Sequence, residues 1–158
     1  MATDAHWESY RTAAIDLDPP WSPGLCLTPD VSGVTGSWPQ RLSAPIFIIT
    51  AWNPDSVLLD ATENRARHGE LVDDLDRLSL VHWPAVGRDA TGTQSGASHH
   101  EEGVAIEGLG EAEATSLGRG HGQAAIYAWT PEAWEVLSCT DARRITLGWQ
   151  LKIRPSPG

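Results

Sequence analysis

The chain has 158 residues, a formal net charge of −10 and a sequence pI near 4.8. Phosphate contacts require clustered Lys and Arg, so this acidic, basic-poor chain excludes a nucleic-acid backbone as its partner. The N-terminus shows no basic region followed by an apolar run, and the longest apolar run is far too short to cross a bilayer. We therefore expect a cytoplasmic protein without a membrane partner, and we expect Cys26 and Cys139 to be reduced.

The length fits a single domain with one core, spanning residues 1–158. Residues 6–15 predict a short helix. Residues 18–45 hold six of the eleven prolines, and proline interrupts both strand ladders and helix interiors. We predict an irregular N-terminal arm over residues 1–45, followed by a core over 46–129 and by C-terminal strands and a tail over 130–158. The arm contains apolar side chains that are expected to contact the core, namely Trp21, Leu25 and Trp38.

The apolar run from Pro45 to Trp52 predicts a strand that is buried on both faces, and Asn53-Pro54 ends it. A helix is predicted over 61–80, with Asp60 or Thr62 as its N-cap.

Helical periodicity places two kinds of residue on one stripe of this helix. Its C-terminal half is apolar, with Leu71, Leu75 and Leu78, whereas its first turns carry Asn64, Arg67 and His68. We expect this whole stripe to face inward. A neighbouring flank is charged and is expected to be solvated, and it comprises Glu63, Glu70, Asp74 and Arg77.

The remaining pattern predicts strands over 80–86, 103–109 and 123–129, and a helix over 111–119. Two further strands are predicted over 134–139 and 144–153, and a Gly-rich loop over 87–100. The order β-α-β-β-α-β indicates an α+β, ferredoxin-like sheet with two helices on one face, extra C-terminal strands and the irregular arm. In that topology the polar residues around positions 53, 101 and 123 meet at one edge of the sheet.

Several polar residues at that edge form a candidate ligand-binding set: Asn53, Asn64, Arg67, His68 and Gln123. Guanidinium suits carboxylate or phosphate groups, although an internal ion pair of Arg67 with Glu101 or Glu102 explains the pattern equally well. Both amides also have structural explanations. Asn53 is of a residue type that commonly forms turns, and Gln123 can hydrogen-bond to backbone groups.

The segment His99-His100-Glu101-Glu102 contains candidate acid/base residues, because histidine titrates near neutrality and burial tunes carboxylates. Neighbours on a strand point to opposite faces, so only one His and one Glu reach a single site. We select His100, Glu101 and Glu102 as the catalytic candidates. No spacing matches a zinc pattern, so no metal site is predicted, and the sequence identifies no cofactor.

The spaced combination of short motifs resembles an uncharacterised bacterial family, domain of unknown function 3293. The resemblance runs from Pro45 to Trp129, and it implies no established activity. It rests on Thr50-Ala-Trp-Asn-Pro54, Glu63-Asn64 with Arg67, Leu71-x3-Leu75, Gly87, Glu101-Glu102-Gly103 and Gly122-Gln123-Ala-Ala125.

Two functional hypotheses follow. In the first, a small polar, anionic ligand binds at the shared edge, and the Gly-rich loop 87–98 closes over it. In the second, the chain is a non-catalytic protein-interaction or regulatory module whose polar cluster is structural. A homodimer formed through an exposed strand is compatible with both.

Overall fold

The structure is a computed structural model that describes residues 4–22, 24–89 and 100–154. Three helices are described: α1 Asp4–Ser9, α2 Ala61–Arg77 and α3 Glu111–Gly120. The strands are β1 Ala13–Leu17, β2 Leu25–Asp30, β3 Ile46–Thr50, β4 His82–Asp89, β5 His100–Ile106, β6 Ala125–Trp129, β7 Trp134–Ser138 and β8 Arg144–Ile153.

The strands form a closed antiparallel barrel in the order β1-β2-β8-β7-β6-β3-β5-β4. The closing seam is the pairing of β1 with β4, in which Ala13 lies opposite Asp89 and Leu17 lies opposite Ala85. Closure pairs every strand of the barrel on both sides. None of the described strands therefore offers a free edge for a dimer formed by strand addition.

The prediction of an open, ferredoxin-like α+β sheet is wrong, because the molecule is a closed eight-stranded barrel with only small helices. The error arises in the N-terminal arm. The predicted helix over 6–15 includes residues 13–15 and the predicted irregular arm includes residues 25–30, yet Ala13–Leu17 form β1 and Leu25–Asp30 form β2. Pro29 lies within β2, in register with Trp149 of β8. These two strands bridge β4 and β8 and so convert an open sheet into a barrel.

The barrel has two apolar cores, one inside and one outside. The inner core takes side chains from all eight strands, among them Ile48, Trp83, Trp129, Trp134 and Trp149. The outer core lies beneath α2 and α3 and includes Phe47, Ile49, Val104, Leu71, Leu75 and Ala114. Alternation along a strand explains the division, since successive side chains point to opposite faces.

Aromatic side chains from the N-terminal part of the chain pack against this barrel. Trp7 of α1 packs with Val136 and Ile145. Trp38 lies 4.5 Å from Trp129 between ring centroids. The predicted contact of the arm with the core is thus confirmed for Leu25, which is buried, and for Trp21 and Trp38, which pack against the inner core. None of the described helices is long and apolar enough to span a membrane.

We predict that two Gly→Ala substitutions have opposite effects on stability. At Gly103 an added Cβ lies 2.6 Å from the backbone carbonyl oxygen of Ile49, so Gly103→Ala should lower the free energy of unfolding by about 1–3 kcal/mol. At Gly69, inside α2, an added Cβ meets no atom within 4 Å, so Gly69→Ala should raise it by about 0.5–1 kcal/mol. Urea denaturation measures both. Equal effects of the two substitutions would contradict the tight β3–β5 approach at Gly103.

Candidate functional site

Four strand termini meet at one end of the barrel. Thr50, at the end of β3, is in register with Gly103 of β5, and Gly87 of β4 is in register with Glu101. The first residue of β6, Ala125, lies at the same end, because β6 runs antiparallel to β3. This arrangement brings the segment after β3, the start of β5 and the segment before β6 together. They carry Asn53, Glu101 and Gln123, respectively.

Asn53 and Asn64 form a reciprocal hydrogen-bonded pair that we call the asparagine lock. The Asn53 backbone N–H donates to Asn64 Oδ1 at 2.9 Å, and Asn64 Nδ2 donates to Asn53 Oδ1 at 2.9 Å and to the Leu59 carbonyl at 3.2 Å. The Leu59 N–H also donates to Asn53 Oδ1, at 3.0 Å. Asn64 is 2% exposed. The lock therefore joins the end of β3 to the first turn of α2.

The local backbone depends on the residue types around the lock. Asn53 has φ 48° and ψ 58°, in the left-handed region that asparagine tolerates better than most residues. Asp60 begins α2 as its N-cap, accepting a hydrogen bond from the Glu63 N–H at 2.8 Å. This confirms one of the two capping residues predicted from the sequence.

Glu101 extends the lock into the barrel. Its Oε1 accepts a hydrogen bond from Asn53 Nδ2 at 3.0 Å. Strand alternation places Glu101 on the interior side, as Ala105 is. Burial, together with the negative charge of Glu101, raises the pKa values of Tyr10 and Tyr127. The catalytic role of Glu101 stays a prediction.

Gln123 ties the segment before β6 to the segment after β3. Its Nε2 donates to the Trp52 carbonyl at 3.0 Å, and the Asp55 N–H donates to the Gly122 carbonyl at 2.8 Å. Gly122 has φ 77°, and an added Cβ would lie 2.4 Å from the Pro54 Cβ. Glycine is required here because both the backbone conformation and the close approach exclude a side chain. A ligand-binding role for Gln123 also stays a prediction.

The other acid/base candidates lie apart from Glu101. Glu102 follows it on β5 and faces the outer side, where its charge acts on His68. The ring of His100 lies 5.6 Å from the ring of Trp52. His99, the alternative to His100, and residues 90–98 of the predicted closing loop lie outside the described residues. Residues 87–89 of that loop belong to β4.

His68 is half-buried on α2, and its Nδ1 is buried without a hydrogen-bond partner. Burial lowers its pKa, His82 acts in the same direction, and Glu102 opposes both. The arrangement favours a neutral imidazole at this position.

The structure separates Arg67 from the other predicted ligand-binding residues. The expectation that it faces inward is wrong, because Arg67 is exposed. Its side chain lines a cleft of about 470 Å³ between α2 and α3. None of the described residues pairs with the guanidinium of Arg67 by an ion pair or a hydrogen bond.

The opposite wall of the cleft carries His121, at the end of α3. Its Nε2 lies 2.9 Å from Asp74 Oδ2 of α2, and Arg77 pairs with the other oxygen of Asp74. Burial lowers the pKa of His121, and the charge of Arg67 acts in the same direction while Glu70 opposes it. A neutral His121 donates its Nε2–H to Asp74, and this bond links the two helices across the cleft.

The sequence does not predict this cleft. Helical spacing correctly groups Glu70, Asp74 and Arg77 on one flank of α2 and predicts that this flank is solvated. The cleft forms because the end of α3 lies opposite this flank. Periodicity within one helix does not reveal which element packs against it. No group of His, Cys, Asp and Glu with metal-binding geometry occurs among residues 4–22, 24–89 and 100–154.

We predict that Asn64→Ala destabilises the protein. Removing the amide leaves the buried Asn53 N–H without its acceptor, and the expected loss is about 2–3 kcal/mol in the free energy of unfolding. Arg65→Ala, at an exposed position on the same helix, is the matched control and should change it by less than about 0.5 kcal/mol. Urea denaturation compares the two. An Asn64→Ala protein as stable as the control would show that the lock is dispensable.

We also predict that His68 makes stability pH-dependent. Its folded-state pKa lies below the ordinary value of 6.5, so the unfolded chain binds the proton more readily. The free energy of unfolding should therefore fall as the pH drops through 6.5 and on through the folded-state pKa. His68→Gln should reduce this loss in urea denaturation series run from about pH 8 to about pH 5. Superimposable pH profiles for the two proteins would contradict a depressed pKa.

Comparison with known proteins gives a family match. No curated protein and no solved structure shows a significant similarity to this chain. Residues 49–126 match the model of a family described as protein of unknown function (DUF3293). The matched region includes the asparagine lock, Glu101, Gln123 and every residue that lines the α2–α3 cleft. Through residues 49–126, the chain belongs to the family of domain of unknown function 3293.

Proposed function

We propose that this chain binds a small polar molecule carrying an anionic group, and that the molecule lies in the cleft between α2 and α3. The observation that carries the proposal is Arg67, whose guanidinium faces a cleft of about 470 Å³ and has no ion-pair partner among the described residues. Guanidinium donates two parallel hydrogen bonds to a carboxylate or phosphate. A cavity of this volume accommodates a small molecule.

The charged residues around Arg67 restrict the chemical class of the ligand. Glu70 and Asp73 line the same cleft, and their negative charges oppose a ligand that is anionic throughout. Arg77 is already paired with Asp74. Arg67 is therefore the cation available to a ligand, and the rest of the ligand must be neutral or positively charged. His121 and Ser116 supply further polar groups on the side of α3.

The position of the cleft within the chain supports the same proposal. All of its lining residues lie inside the region that matches the family model. Asn53, Asn64 and Gln123 direct their amides to neighbouring segments. In this proposal they hold α2 and the end of α3 in place, and Arg67 makes the ligand contact.

The test is a titration of the protein with β-alanine and with phosphoethanolamine, which carry a carboxylate or a phosphate at one end and an ammonium group at the other, followed by two-dimensional amide NMR. Resonances of α2 and α3 around the cleft should shift, and Arg67→Ala should weaken binding by about tenfold or more, the loss expected for one charge-assisted contact. Arg65→Ala, which leaves the cleft unchanged, should retain full affinity. The unfolding transition of Arg67→Ala should match that of the wild type, because the side chain is exposed. Binding that survives Arg67→Ala, or no shift with either molecule, would contradict the proposal.

A protein-interaction role is the second candidate, and one observation favours it. Val57 and Leu58 are 57% and 78% exposed, on the segment that the asparagine lock holds to α2. A rigid apolar pair loses little entropy when it binds a partner. An interaction through this segment should be lost in Leu58→Ser and retained in Arg67→Ala, which is the reverse of the pattern expected for the cleft.

A further inference from the structure

A second cavity lies on the outer face of the barrel, away from the α2–α3 cleft. It is a groove of about 410 Å³ bordered by β3, β6, β7 and the turn between β6 and β7. Its floor is apolar and is formed by Phe47, Ala128 and Leu137. Pro45 and Pro131 add apolar walls. These strands direct alternate side chains outward, and α3 covers the neighbouring Ile126 but leaves the groove open.

The rim of the groove is acidic. Three carboxylates, of Glu111, Glu132 and Glu135, face one cation, Arg144. Arg144 pairs with Glu135 and with Glu111, the latter at 3.1 Å between Nη2 and Oε1. Glu132 is exposed and forms no ion pair or hydrogen bond with any described residue. The groove therefore combines an apolar floor with an excess of negative charge, part of which has no internal counterion.

We infer that this groove binds a small organic cation, namely an amine with an apolar body. The floor side chains are almost fully buried, with Phe47 2% and Ala128 6% exposed, so the apolar body contacts mainly the walls at Pro45 and Pro131, where burial of apolar surface favours binding. The ammonium group lies at Glu132, where a carboxylate is available. Charge complementarity excludes the reverse arrangement, since an anionic ligand would meet three carboxylates and an arginine that is already paired.

The groove is distinct from the proposed anion cleft in both chemistry and position. Of its lining residues only Glu111 lies within the matched region 49–126, and the others precede or follow it. The inference therefore concerns a property of this chain beyond its family-matched region, and it does not depend on the α2–α3 cleft.

The experiment uses phenethylamine as the probe, with 3-phenylpropionate and phenethyl alcohol as charge-reversed and neutral controls. Amide NMR of the full chain should show phenethylamine shifting resonances at Ala128, Thr130 and Glu132, with weaker shifts from the alcohol and none from the carboxylate. Glu132→Gln should weaken phenethylamine binding by about fivefold, which corresponds to one exposed charge contact. Glu63→Gln, an exposed carboxylate on α2, is the matched control and should leave the affinity unchanged.

A second variant is expected to have the opposite effect on phenethylamine binding. Arg144→Gln removes the internal cation and leaves Glu111 and Glu135 without a partner, so it should strengthen phenethylamine binding by about fivefold. Circular dichroism of each variant establishes that the fold is retained. Equal binding of 3-phenylpropionate, shifts located elsewhere on the barrel, or an affinity unaffected by Glu132→Gln and Arg144→Gln would each overturn the inference.

Discussion

Closure of the barrel through the pairing of β1 with β4 is the constraint on which the rest of this structure depends. The interior receives large indole side chains, among them Trp129, Trp134 and Trp149, which are fully buried. Such side chains are shielded from water only when the sheet surrounds them on every side. Without β1 and β2, an open sheet of the remaining six strands would leave these indoles facing solvent. The two N-terminal strands therefore determine whether the aromatic interior exists.

The outside of the barrel serves a different purpose from the inside. β3, β5 and β6 present apolar side chains on both faces, and α2 and α3 cover the outer one. Between and beside these helices the surface forms the two cavities, the α2–α3 cleft and the groove over Phe47. The interior thus supplies stability, while the two cavities lie where helices meet each other or stop short on the outer face.

The asparagine lock illustrates how a residue can look functional and yet have a structural explanation. Asn64 is 2% exposed, and both ends of its amide are hydrogen-bonded within the segment that joins β3 to α2. A buried amide that is fully hydrogen-bonded rigidifies its surroundings. Arg67, one turn later, has the opposite character: it is exposed, and its charge is available. Helical spacing alone predicts one inward stripe for the two residues, and the tertiary structure distinguishes them, because the segment after β3 packs on Asn64 and leaves Arg67 exposed.

The sequence by itself determined the local elements and several of their ends. Asp60 begins α2, Leu71 and Leu75 are buried beneath it, and the apolar run after Pro45 is a strand, because capping and hydrophobic periodicity act over a few residues. The tertiary structure decided the fold class. β1 is short and follows a helix, and β2 is short and contains Pro29, so the sequence signal for both strands is weak. They are strands because β4 and β8 supply their hydrogen-bond partners. The tertiary structure also creates the candidate cleft, since the proximity of Arg67 to His121 depends on how two helices pack on a closed barrel.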